Sequence, residues 1–323
     1  MTKDFCADSV YPLKYTMSSL PEIFVSLARW FPEEFSTWSV LKREAKTRFV
    51  RPFVRRETDP ISFVDRDWDT LVVLDACRYD VFEANNPFPV EAERVHSNAS
   101  HTRDFLWRNF ADTHPGTVYV TASPQVASHA GEFAHVEHVW RDGWDDSEGT
   151  VPPVTVTERA LDLAERFPRK RLIVHYMQPH FPFIGPTGEQ LQAQGSYLDG
   201  RRDRIYPSVW ERLDAGDADE SVVREAYEEN LRVALPAVER LVEELDGKTV
   251  VTSDHGNIFG KRVSPLPIRL YGHPPGIADP DLTAVPWVEL PFESRREIVA
   301  SEAQSTGADD ERTRERLEAL GYV

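Results

Sequence analysis

Short apolar runs punctuate the middle of the chain, each closed by polar residues: Thr70-Leu-Val-Val-Leu-Asp75, Val118-Tyr-Val-Thr121, Arg171-Leu-Ile-Val-His175 and Lys248-Thr-Val-Val-Thr252. Apolar side chains at consecutive rather than alternating positions fit strands covered on both faces, as parallel strands are. Helical patterns separate them at Thr102–Phe110, Thr157–Phe167 and Ser221–Leu245. In the last of these, Val222, Val223, Ala226, Tyr227, Leu231, Ala234, Val238, Leu241, Val242 and Leu245 recur at the 3.6-residue period, and Pro236 predicts a kink. Alternating strands and helices predict an α/β fold: a mostly parallel central sheet with helices on both faces.

The flanks read differently. Residues 1–64 form an N-terminal helical appendage in which Phe24, Leu27, Ala28 and Phe31 stand at helical spacing. It ends in a basic cluster, Arg48, Arg51, Arg55 and Arg56, so a helix touching a membrane surface is the alternative to an arm packed on the main domain. The main domain spans 65–300, with Gly185–Asp219 as a long loop or small insert. Residues 301–323 supply a polar linker, Ser301–Ala308, and a C-terminal helix from Asp309 to Leu320.

Composition narrows the class. The 323 residues carry 54 acidic and 37 basic side chains, a net charge of −17, which argues against nucleic acid or an anionic membrane as partner. Acid excess with 7 Lys against 30 Arg is the composition of a protein adapted to high salt, a halophilic one. Two cysteines, Cys6 and Cys77, make no disulfide framework and suit a reducing compartment. The first twenty residues hold no signal-like apolar run, and no transmembrane segment is evident. The expectation is a cytoplasmic protein.

Ligand sites of such sheets lie beyond the carboxyl ends of the strands. Asp75 ends the first run, His175 the third, and Ser253-Asp254-His255-Gly256-Asn257 follows the fourth. A carboxylate next to an imidazole at a strand end can hold a divalent cation. Asp75 would be costly at the end of a buried strand unless paired or metal-bound. In Asp75-Ala-Cys-Arg78-Tyr-Asp80, Arg78 and Asp80 read as a mutual brace of the turn.

These motifs, together with His175-Tyr-Met-Gln-Pro-His180-Phe-Pro and the closing Leu317-Glu-Ala-Leu-Gly-Tyr-Val323, resemble the alkaline phosphatase superfamily and its sulfatase-like branch. The resemblance implies an alkaline phosphatase-like fold and a metal-dependent hydrolase or transferase of phosphate or sulfate esters. It implies Asp75, Asp254 and His255 as ligands of one divalent ion (Mn, Zn, Mg or Ca), with a second ion possible. It implies Thr102, at a helix start, as nucleophile, with Ser100 as the alternative. His180 would meet the substrate's charged group or leaving oxygen, and His175, His273 and Lys261 would serve a second metal or the substrate. The formylglycine motif Cys-x-Pro-x-Arg is missing, and Ala76 stands where many sulfatases repeat the acid, so phosphoryl transfer is favoured. The other readings are sulfate-ester hydrolysis without formylglycine and a catalytically silent metal-binding member. The expected partner is a small-molecule or a glycan- or lipid-linked ester. His96, His101, His114, His129, His135 and His138 show no ligand spacing, and the last two are expected in a loop.

Overall fold

The computed structural model describes residues 45–54, 59–193, 208–262, 268–305, 307 and 311–320. The expected helix from Pro21 and the cluster members Arg55 and Arg56 lie outside the described residues, as do the last three residues of the closing motif.

The first apolar run is strand β1 (Thr70–Leu74), buried at all five positions. It lies parallel between β5 (Arg171–Tyr176) and β6 (Thr249–Ser253), with Leu74 level with Tyr176 on one side and Ser253 on the other. Beyond β5 come β3 (Thr113–Thr121) and β4 (Glu132–His138), also parallel. Antiparallel strands finish the edges: β9 (Ala284–Glu289) and β2 (Glu93–His96) past β6, and β10 (Gln304–Ser305) past β4. The result is an eight-stranded, mostly parallel sheet in an α/β fold. A separate hairpin pairs β7 (Ile258–Arg262) with β8 (Arg269–Gly272).

Alternation along the strands explains why the runs are continuously apolar. Val72, Leu74, Val174, Tyr176 and Val251 face a core cluster shared with helices α1 (Tyr79–Asn85), α4 (Pro153–Arg166) and α7 (Glu220–Glu244). Leu71, Val73, Tyr119, Ile173 and Val250 face the other side, against α2 (Thr102–Phe110), α3 (Gln125–His129), Trp68 and Trp287. Each strand residue is therefore removed from water on one face or the other, worth about 25 cal/mol per Å² of apolar area.

Several sequence expectations change. His135 and His138 are in strand β4, not a loop, because the apolar run of β3 pairs with them, Val118 level with His135 and Thr121 with His138. The segment 185–219 carries helices α5 (Pro186–Ala193) and α6 (Val209–Ala215), with 194–207 outside the described residues. The polar linker contributes β10 to the sheet, ahead of the terminal helix α8 (Glu311–Ala319). Pro236 lies inside α7, and the helix continues through it for 25 residues in all. Among the described residues no helix is long and apolar enough to cross a membrane.

At the amino end of β1, Asp69 ties the chain's later segment to the sheet. Its buried carboxylate accepts from Arg295 Nε (2.7 Å) and from the backbone N–H groups of Lys248 (2.8 Å) and Arg296 (3.2 Å). Burial raises the carboxyl's pKa, but the Arg295 guanidinium and those N–H groups outweigh it and hold the pKa below the usual range. A depressed folded value contributes stability above the unfolded pKa of roughly 3.9 and loses it as pH falls toward the folded value. Asp69→Asn should therefore cost about 1–3 kcal/mol at neutral pH. Its loss of Tm between about pH 5 and pH 3 should also be shallower than wild type. Parallel Tm-versus-pH curves would show that Asp69 carries no such linkage.

Candidate active site

Three buried donors meet where β1, β5 and β6 end. Ligand atoms of Asp75, His175 and Asp254 all lie within 4.8 Å of one another. The turns that hold them are laced together. Ala76 N–H donates to Asp254 Oδ1 (2.9 Å), and Cys77 N–H to Ser253 Oγ (2.9 Å). The Ala76 carbonyl accepts from Tyr227 Oη (2.6 Å) on α7 and from Asn257 Nδ2 (3.3 Å). To make these bonds Ala76 adopts φ +60°, the left-handed region that disfavours a residue with Cβ.

Asp254 spends one oxygen on backbone, since Oδ1 also accepts its neighbour His255 N–H at 2.8 Å. Its Oδ2, and Nε2 of His175, are buried with no hydrogen-bond partner. Two carboxylates and an imidazole, with two orphaned donor atoms, are the chemistry of a divalent cation site, and the residues present fit one. Burial pushes Asp75 up, yet the facing His180, His175 and His255 imidazoles outweigh it and lower its pKa. Burial and the Asp75 charge raise Asp254.

Thr102 is the first residue of α2 and fully buried. Its Oγ1 stands 3.4 Å from both oxygens of Asp75 and 3.2 Å from Nε2 of His255. His255 donates its Nδ1 proton to the Gly256 carbonyl (2.8 Å), since a carbonyl only accepts; in the neutral ring this leaves the lone pair on Nε2, the nitrogen beside Thr102. That Nε2 is also 3.4 Å from Asp254 Oδ2 and 3.8 Å from Asp75 Oδ1.

A group of imidazoles closes over Thr102. The His273 ring is 4.9 Å from those of both His180 and His255, and 5.3 Å from that of His101. His273 donates from Nδ1 to Asn257 Oδ1 (3.0 Å), and His180 from Nδ1 to the Phe181 carbonyl. Burial lowers the pKa of His180 and takes that of His101 well below the ordinary histidine value, which favours neutral rings.

Of the residues singled out in the sequence, Asp75, Asp254, His255, Thr102, His180, His175 and His273 are brought together. Ser100 and Lys261 are not. Ser100 Oγ donates to the Pro274 carbonyl (3.3 Å) and accepts from Gly276 N–H (3.0 Å), a loop-bracing role. Lys261 Nζ pairs with Asp279 (2.7 Å) and Asp281 (3.3 Å). Arg78 grips Asp80 with two bonds (2.8 and 2.7 Å) and the Asn257 carbonyl (2.8 Å). Cys77 is a free buried thiol whose pKa burial pushes up, a poor nucleophile. Two site residues escape sequence reasoning. His101 caps α2 by accepting Arg103 N–H (3.2 Å), and its place beside Thr102 was the available signal. Tyr119, whose Oη is 3.0 Å from His175 Nδ1, gave none, lying mid-strand in an apolar run.

No family model matches the chain, and no curated protein matches it. Among solved structures it is similar to the integral membrane lipooligosaccharide phosphoethanolamine transferase A of Neisseria meningitidis (14% identity, TM-score 0.42, 68% of this chain and 46% of that one). It thus spans less than half the length of that transferase. It is also similar to the C-terminal periplasmic domain of Escherichia coli EptC in complex with Zn (12% identity, TM-score 0.37, 72% and 77%). A third is a Vibrio parahaemolyticus protein in the alkaline phosphatase superfamily (11% identity, TM-score 0.31, 78% and 70%).

The left-handed Ala76 makes a separable test of how the site is built. Ala76→Gly should keep or raise stability by up to about 1 kcal/mol, since glycine adopts positive φ freely. Ala76→Val should cost about 1–3 kcal/mol and weaken divalent-ion binding, because a β-branched residue resists that conformation. Urea melts and chelator-competition titrations measure both, and a Val variant matching wild type in both would exclude the strain.

Proposed function

We propose that the chain is a metal-dependent phosphoester transferase or hydrolase of the alkaline phosphatase type, with Thr102 as nucleophile. The observation that carries this is the place of Thr102 Oγ1: at a helix start, 3.2 Å from Nε2 of His255 and 3.4 Å from Asp75, beside the buried Asp75, His175 and Asp254 donors. Those three would hold the ion. When bound, it supplies positive charge that eases deprotonation of the hydroxyl and draws off the negative charge growing on the ester oxygens.

The residues then divide the work. Oγ1 of Thr102 forms the bond to phosphorus as the bond to the leaving oxygen breaks. The Thr102 proton passes to Nε2 of His255 and from there to the leaving oxygen. An incoming water or alcohol reverses the sequence: its oxygen bonds phosphorus, its proton goes to His255, and Thr102 Oγ1 leaves and recovers a proton. The α2 N-terminus favours the anionic group at Thr102, and His180 and His273 line its approach. Phosphate esters are preferred over sulfate esters in this reading, since the formylglycine motif is missing and Cys77 is buried with a raised pKa.

Turnover of p-nitrophenyl phosphate, bis-p-nitrophenyl phosphate and p-nitrophenyl sulfate, with Mn, Zn, Mg or Ca, tests the proposal. Thr102→Ala should lose about 10³-fold or more in kcat on the active ester, while Ser100→Ala should stay within several-fold of wild type. Dialysis against EDTA should abolish turnover, and the effective ion should restore it. Full activity in Thr102→Ala would reject the nucleophile. Bound metal with no turnover on any ester would favour a silent metal-binding protein.

A further inference from the structure

The geometry points to Tyr119 as the positioning residue that holds the His175 proton on Nδ1 and so leaves the Nε2 lone pair toward the two carboxylates. This rests on the proposed ion site of Asp75, His175 and Asp254. Tyr119 on β3 and His175 on β5 are near neighbours across a parallel pair, in which Tyr119 is level with Ile173 and Thr121 with His175. Both side chains are fully buried, and Tyr119 Oη lies 3.0 Å from His175 Nδ1. The phenol ring is fixed by edge-on packing against Phe133 (5.2 Å, 83°) and Phe110 (6.1 Å, 84°). Its hydroxyl is therefore held at Nδ1, free only to rotate its proton.

His175 then has two neutral arrangements. In one, Tyr119 donates to Nδ1 and the ring proton sits on Nε2, facing Asp75 Oδ2 at 3.5 Å. In that state Nε2 has no lone pair for a cation. In the other, Nδ1–H donates to Tyr119 Oη, and the Nε2 lone pair points at the carboxylates with no hydrogen bond of its own. A ligating histidine binds through an unprotonated nitrogen and donates its other N–H to an outer partner. Only the second arrangement meets that requirement, and Tyr119 is the acceptor that stabilises it. A hydroxyl serves both states, donor in one and acceptor in the other, so the switch needs no movement of heavy atoms.

Tyr119→Phe removes one atom and keeps the packed ring. The expected result is a variant with the metal-free Tm of wild type and Zn or Mn affinity weakened about 10–100-fold in chelator competition. His175→Ala should lose more affinity than Tyr119→Phe. If Tyr119→Phe binds metal like wild type while His175→Ala does not, the positioning role is wrong and the ion site stands. If neither substitution changes affinity, the ion site itself is misassigned, and the role of Tyr119 falls with it. Nitrogen-15 spectra of histidine-labelled wild-type protein give a readout that needs no variant. His175 should be protonated at Nδ1 once Zn is added, and a proton retained on Nε2 would overturn the inference.

Discussion

Two carboxylates share a dry place at the end of the central strands, and much of the surrounding architecture answers that one cost. Like charges about 4 Å apart repel by about 4 kcal/mol at an effective dielectric near 20, and each also loses its water. Asp75 and Asp254 are both fully buried, with donor atoms within 4.8 Å. The protein treats them unequally. Asp254 is given two backbone N–H bonds on one oxygen, while Asp75 is surrounded by the imidazoles of His175, His180 and His255 from the ends of β5 and β6. Among the described residues neither receives a lysine or arginine side chain, the usual partner of a buried acid.

The fold supports this arrangement from a distance. Leu74 of β1 is level with Ser253 of β6, so Asp75 and Asp254 leave their strands side by side, while His175 is level with Val73, two residues earlier, inside β5. Ala76 then turns in the left-handed region to give its N–H to Asp254, and Tyr227 on α7 caps the carbonyl this exposes. At the opposite end of β1, Asp69 anchors the segment that follows β9 through Arg295 and Arg296. One buried acid at the amino end is satisfied by guanidinium and amide groups. Two at the carboxyl end are left with orphaned donor atoms beside them. That contrast places the chemistry at one end of the sheet and the stability at the other.

How much of this was legible in the sequence depends on which residues carried a local signal. The continuous apolar runs marked the central parallel strands, and the polar residues ending them marked Asp75, His175 and Asp254. Thr102 was legible because a helix start has its own pattern, and the helix begins there. The outer strands were not, because β2, β4, β9 and β10 take their form from neighbours rather than from periodicity; β9 even holds Pro286. Ser100 and Lys261 had the right chemistry but are consumed by Gly276 and Pro274 in one case and Asp279 in the other. Tyr119 was invisible for the opposite reason: its ring belongs to the core and only its oxygen to the site.

The charge balance of the site bears on the order in which its ligands must arrive. In the proposed reaction an anionic ester approaching Thr102 would meet Asp75 at 3.4 Å behind it and the imidazoles of His101 and His180, which burial keeps toward the neutral form. The cations on the neighbouring turns, Arg78 and Lys261, are already paired with Asp80 and Asp279. With a chain charge of −17 adding to the unfavourable potential, bare protein has little to offer a phosphate beyond one helix N-terminus. A divalent ion between the carboxylates reverses the local sign while leaving the acidic exterior unchanged. The same two acids that make the empty pocket expensive would then make the loaded one selective, binding the metal first and the anion only afterwards.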